Sequence, residues 1–183
     1  MKIHIFGASG SGVTTTGKAL AEQLNLDYFD SDAFFWKQTA IPFSERCNPE
    51  ERNTSIRTAL DNSKKWILGG SVFQWGDAVF PDFDLVVYLW IPQEIRMERL
   101  KKRELERYGT IIYTDPNRNE QFENFIAWAG DYDQNTGIAS RNREAHEEWM
   151  TSIPFPILKI EGDFTLEERI ALILQKVTTI ELT

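Results

Sequence analysis

A short apolar run, KIHIF at residues 2–6, breaks directly into GASGSGVTTTGKAL at residues 7–20. Apart from His4 the run is apolar on both faces, as in a strand at the buried centre of a parallel sheet. Behind the glycines, Val13, Leu20 and Leu24 recur at helical spacing, and small Gly17 sits where helix and sheet can approach closely. A strand, a glycine turn and a helix in that order are what an α/β chain begins with. His4 is expected as a half-buried strand residue making one hydrogen bond rather than as a catalytic group.

The same alternation continues. DYFD (27–30), WIL (66–68), LVVYL (85–89) and PILKI (156–160) complete a set of five expected strands. Between them, Asn48, Pro49 and Glu51 open one helix, Pro92 opens a charged helix, and Thr165 with Glu168 form a capping box for the last. Leu166, Ile170, Ile173 and Val177 share one face of that final helix. Residues 108–152 break the rhythm: they are helical in pattern, aromatic, and contain no convincing strand. The expectation is one α/β domain over 1–183, a three-layer fold with a five-stranded parallel sheet, carrying 108–152 as a helical lid insertion.

The glycine turn carries the chemistry. Gly7, Gly12 and Thr14 match G-x-x-x-x-G-K-[ST], except that Val13 stands where the lysine belongs. Gly7, Gly10 and Gly12 let the backbone curl so that N–H groups face a phosphate, with Ser9 and Ser11 small enough not to block it. The expected cradle is Gly7, Ser9, Gly10, Ser11, Gly12, Val13, Thr14 and Thr15, with the Thr14 hydroxyl on Mg²⁺. What the valine removes is a mobile charge on the transferring phosphates. Lys18, four residues beyond Thr14, is either a stand-in for it or a solvated surface residue. Two other readings of the turn stay open: a dinucleotide-binding turn with Asp30 or Asp32 on a ribose, whose glycine order differs, and a helix entry with no ligand.

Asp30 and Asp32, in YFDSDAFFW, stand at a strand's carboxyl end, where parallel sheets bind ligands. Asp30 is a candidate Mg²⁺ residue acting through water, and Asp32 a candidate for binding or activating an acceptor hydroxyl; both could instead cap the next segment. Phe34, Phe35 and Trp36 are either acceptor-pocket walls or core, and Trp128 and Trp149 are read as packing between lid helices.

On these residues the chain resembles the shikimate kinase and adenylate kinase group of P-loop kinases. GASGSGVTTTGKALAEQLNLDYFDSD is similar to that group's opening, and its D-S-D most of all to shikimate kinase. DLVVYLWIPQEIRMERLKKRE resembles the fourth strand and following helix, EGDFT the loop bordering adenine, and FIAWAGDYDQ with SRNREAHEEWM the lid of a bacterial adenylate-kinase-like subgroup linked to DNA topology modulation. The resemblance implies ATP as cofactor, with Arg99 stacking on adenine and Arg103 on phosphates, or Arg96 as the stacking residue. Gly-Gly-Ser at 69–71 replaces the Asp-Gly-Phe-Pro-Arg of adenylate kinases, and Arg46, Arg52 and Arg57 are only loosely placed for a shikimate-like carboxylate.

Arg99, Arg103 and Arg107 recur at i, i+4 and i+8 on one helix face, and Arg141 and Arg143 approach from the lid. Bidentate guanidinium contacts suit phosphates and could offset the missing lysine. The implied function is an ATP- and Mg²⁺-dependent small-molecule kinase with Asp32, Arg103, Arg141 and Arg143 as catalytic residues. The alternative is a nucleotide-binding regulator with little turnover. A net charge of −8 argues against nucleic acid as a partner. The longest apolar run, LVVYLWI, argues against a membrane span. Cys47 alone forms no internal disulfide and suits a reducing cytoplasm, and no signal peptide is expected.

Overall fold

The computed structural model describes residues 1–76, 80 and 82–182; the expected boundary at Thr183 lies outside them. β1 (Lys2–Gly7), β2 (Asp27–Asp30), β3 (Trp66–Gly69), β4 (Leu85–Trp90) and β5 (Ile157–Glu161) form one parallel sheet in the order β2-β3-β1-β4-β5. Each expected strand is present within a residue or so of its predicted bounds. β1 lies at the centre, with Ile3 level with Ile67 on one side and Leu85 on the other.

Side chains alternate along each strand, so both faces of the central strands must be covered. On one face Ile3, Ile5, Val87 and Leu89 meet Leu20 and Ala21 of α1 (Val13–Leu24) and Ile173 and Val177 of α8 (Leu166–Glu181). On the other, Phe6, Leu68, Val86 and Tyr88 meet Ile56 and Leu60 of α3 (Pro49–Asp61) and Met150 of α7 (Arg143–Ser152). α1 can press onto the sheet because Gly17 has no side chain: a Cβ there would lie 2.5 Å from the Tyr28 ring. The capping box of α8 is reciprocal, with Glu168 N–H donating to Thr165 Oγ1 at 3.2 Å and Thr165 N–H to the Glu168 carboxylate at 2.8 Å. One element was not anticipated, the short helix α2 (Ser31–Phe35), which Asp30 caps by accepting from Asp32 N–H. The charged helix is α4 (Gln93–Tyr108), and 108–152 folds as α5 (Ile111–Thr114), α6 (Pro116–Gln134) and α7, with no strand among its described residues. Among the described residues no helix is long and apolar enough to cross a membrane.

Both histidines are in the interior. His4 is fully buried rather than half-buried; it stacks between Phe6 and Phe83, and its Nε2 meets Gly70 O at 2.9 Å. His146 of α7 joins a column of hydrogen bonds. Its Nε2 lies 2.9 Å from Ser71 Oγ, its Nδ1 2.9 Å from Tyr132 OH, and Tyr132 OH 2.8 Å from Tyr88 OH. Burial drives the His4 pKa down to about 4, and burial with the nearby Arg141 charge drives His146 down to about 3. The unfolded chain therefore takes up protons from near 6.5 downward while the folded protein does not. This contribution is complete above that pH and is lost as pH falls towards 4, by up to about 1.4 kcal/mol per pH unit for each histidine. Urea unfolding at pH 7.5, 6, 5 and 4.5 should show the decline, and His4→Phe should make it shallower. Equal stability of the native protein at pH 7 and 5 would contradict neutral buried histidines.

Candidate functional site

The carboxyl ends of β1, β2 and β3 deliver the glycine loop, Asp30 and Gly70–Ser71 to one crevice, where the chain reverses direction across the sheet. Gly12 is the N-cap of α1 at φ 90°, a conformation that costs other residues but not glycine. No side chain caps α1 and no acidic residue lies in its first turn. The first-turn N–H groups are thus left for an acceptor outside the helix, and the hydroxyl of buried Ser11 also has no partner. A polyanion fits this cradle. Gly7, Ser9, Gly10, Gly12, Val13, Thr14 and Thr15 border an inner cavity of about 620 Å³. Val13 is half-buried and packs on the apolar cluster beneath α1, which accommodates its aliphatic side chain. Lys18 is exposed and does not border the cavity.

Behind the loop stands Arg96 of α4, fully buried. It donates to Ser9 O at 2.8 Å and to the Asp133 carboxylate at 2.5 Å, with longer contacts to Ala129 O. A guanidinium so enclosed cannot stack on a base, so the reading of Arg96 as an adenine platform is corrected: it is a brace. Arg99 borders the inner cavity and is held by Asp163 at 2.7 Å, in the loop that leads to α8.

An outer cavity of about 1020 Å³ opens beyond the loop. The two share one wall made of Ser9, Thr14, Asp30, Asp32, Arg103, Arg107 and Arg141. Asp30 accepts from Asp32 N–H at 3.0 Å and from the Thr14 hydroxyl at 3.2 Å, so it is both a cap and a neighbour of the candidate Mg²⁺ hydroxyl. Thr14 and Asp30 suit a magnesium ion that takes its other ligands from phosphate and water. Among the described residues no cluster of three acidic, His or Cys side chains offers more. Asp32 opens onto the cleft yet is ringed by protein. Desolvation and the Asp30 charge push its carboxyl above the usual range, while Arg141 and Arg103 pull it back.

Arg141 reaches this wall because its loop is pinned from inside. Buried Asp131 accepts from Thr136 N–H, the Thr136 hydroxyl and Ala139 N–H at 2.5–2.7 Å, and Asn142 caps α7 through Ala145 N–H. Arg143 does not join it. Its guanidinium pairs with Glu147 at 2.8 Å and Glu161 at 3.5 Å and lies 4.6 Å over Trp90, because the first turn of α7 points it to the far side. Its assignment to the phosphates is corrected accordingly.

The outer cavity is aromatic and cationic. Phe35, Trp36 and Trp75 line it, and so does Trp128, which faces the cleft as well as stacking on Phe125. Arg46, Arg52, Arg107 and Arg118 add charge, whereas Arg57 pairs with Asp61 outside it. Ser71, which follows β3, and Arg169 of α8 are among the residues lining the inner cavity that the sequence reading does not assign to the site. The signal for Arg169 was there, since it falls three residues after Leu166 and four before Ile173, on the inward face of α8.

If Arg96 braces the loop, Arg96→Met should cost about 3–5 kcal/mol by stranding Asp133 and the Ser9 carbonyl. Replacing both partners, as in Arg96→Met/Asp133→Leu, should recover part of it. Urea midpoints measure both, and a loss below about 1 kcal/mol in the single variant would refute the brace.

With this geometry in hand, comparison with known proteins is specific. A family model described as an AAA domain matches residues 3–124. The uncharacterised protein YqaC of Bacillus subtilis is 43% identical over 92% of this chain and 92% of its own length. A cytidylate kinase of Methanosphaera stadtmanae is 30% identical over 61% of this chain and 68% of its own. Among solved structures, shikimate kinase from Acinetobacter baumannii in complex with shikimate superposes with a TM-score of 0.58 at 18% identity, covering 100% of this chain and 95% of that one. The sheet order, the uncapped glycine loop and the crevice at the strand ends are accounted for together by these matches: the chain belongs to the P-loop kinase-like family.

Proposed function

We propose that the protein binds ATP with Mg²⁺ in the inner cavity and transfers the γ-phosphoryl group to a small acceptor in the outer one. The observation that carries this reading is the shared wall: both cavities meet on Asp32, Arg103 and Arg141. A donor and an acceptor in these cavities would face each other across a carboxylate and two guanidiniums, which is what in-line transfer requires. The acceptor oxygen bonds to the γ-phosphorus as the bond from that phosphorus to the bridging oxygen breaks and ADP leaves. Asp32 takes the proton when the acceptor is a hydroxyl, and its raised pKa suits it to do so. Arg103 and Arg141 balance the equatorial oxygens. Thr14 and Asp30 would hold Mg²⁺, which would supply positive charge to the phosphates.

Six arginines against three carboxylates line the outer cavity of a chain whose net charge is −8. That imbalance and the aromatic walls suit an acceptor that is anionic and has a flat apolar part. Such a partner is a soluble metabolite, consistent with a cytoplasmic enzyme. The second reading, a nucleotide-binding regulator, is favoured by Val13, which leaves the loop without its transferring charge.

ADP release across a panel of hydroxy acids, nucleosides and nucleotides separates the two. A kinase turns over at least one acceptor, and Asp32→Asn should lower that rate by about 10²–10⁴-fold while ATP affinity changes little. ATP binding with no ADP release from any acceptor would favour the regulator. The guanidinium of Arg141 lies 5.4 Å over the Trp128 ring. If phosphates draw it away, ATP should change the indole emission, and Trp128→Phe should abolish most of that change. An equal change in native and Trp128→Phe protein would show that the signal does not come from the Arg141–Trp128 pair.

A further inference from the structure

Arg169 occupies an unusual position for a charged side chain. It is 5% exposed, on the inward face of α8. Its Nη1 donates to Ser11 O at 3.1 Å, across 158 residues of sequence. A Cβ on Gly12 would lie 2.5 Å from that same nitrogen, so the guanidinium rests against the bend where the glycine loop becomes α1. It borders the inner cavity together with Gly12, Val13, Thr14 and Thr15.

Among the described residues Arg169 forms no ion pair. Asp163, the acid that acts on it, is bonded to Arg99. Burial and the Arg99 charge both lower its pKa, and only Asp163 opposes them. A desolvated cation bonded to one carbonyl and otherwise facing a cavity is costly until an anion meets it. The remaining guanidinium N–H groups are available for oxygens in the inner cavity.

We propose that Arg169 stands in for the lysine missing from the glycine loop, supplying from the far end of the chain the charge on bound phosphates that Val13 cannot. The inference rests on the reading of the inner cavity as a triphosphate site. It also explains the valine. A lysine at position 13 would bring a further cation beside Arg169 and Arg99, whereas a half-buried aliphatic side chain packs on the core and leaves the charge to α8.

The test compares ATP, inorganic tripolyphosphate and adenosine by isothermal titration with native protein and variants. Arg169→Gln should weaken ATP and tripolyphosphate by about tenfold or more while adenosine affinity stays within about twofold. Arg169→Lys should recover most of the loss. Val13→Lys should restore most of the ATP affinity lost in Arg169→Gln. If Arg169→Gln fails to fold, Arg169→Leu, which keeps the helix face apolar, carries the same comparison with and without Val13→Lys. Equal loss of ATP and adenosine would make Arg169 a scaffold residue and overturn the proposal, as would unchanged tripolyphosphate binding in a protein that binds ATP normally. Native protein that binds neither ATP nor tripolyphosphate would overturn the triphosphate site itself, and this proposal with it.

Discussion

The arrangement of this protein hangs on one buried cation. Arg96 reaches from α4 to the carbonyl of Ser9 and to Asp133 of α6, and so ties the glycine loop, the charged helix and the root of the helical segment to one another. A buried ion pair adds little net stability beside a well-packed apolar pair of the same size. It does dictate direction, because a guanidinium has to be met in its plane by acceptors. Ser9 O therefore has one position, and with it the curvature of the loop. The neighbouring donors of the loop, relieved of internal partners, are left facing the crevice.

Charge is distributed by the same logic. The chain is acidic overall, yet arginines gather where the two cavities meet and carboxylates dominate elsewhere. Among the described residues, every arginine at the cleft other than Arg169 either lies over an aromatic ring, as Arg52 does 4.0 Å from the Trp75 centroid, or is shared with a carboxylate, as Arg99 is. Arg169 has neither. An acidic exterior repels stray polyanions while the local basic patch attracts small ones, which gives a selective field without a high net charge.

The three central strands were legible in the sequence because β-strands buried on both faces are nearly pure apolar runs, and the caps at Asn48 and Thr165 have local signatures. The glycine loop was legible for the same reason: its geometry is a property of consecutive residues. Less visible was everything decided by contacts distant in sequence. Arg96 and Arg99 have the same composition and lie three residues apart, yet one is a brace and the other borders the cavity; only the helix's neighbours decide which. Arg143 fits the arginine pattern and faces the wrong way. Trp128 looked like packing because an aromatic residue on a helix usually is. His146, a single histidine in a charged helix, gave no hint of a buried partner, Ser71, on the turn after β3.

The Ser71–His146–Tyr132–Tyr88 column has a mechanical consequence. It is buried and satisfied, and it fastens α7 and the last turn of α6 to β4 and to the turn after β3. Any swing of the helical segment must either leave that column behind or break the two hydrogen bonds that tie it to the sheet, Ser71–His146 and Tyr132–Tyr88, in a medium where broken ones are expensive. The fulcrum is therefore set at the column, and the stretch able to travel is the one ahead of it, from the end of α4 to the outer half of α6. Arg141 sits close to the pivot, where a large angular excursion produces only a small displacement. Its distance to Asp32 is thus buffered against whatever the tip of the segment does.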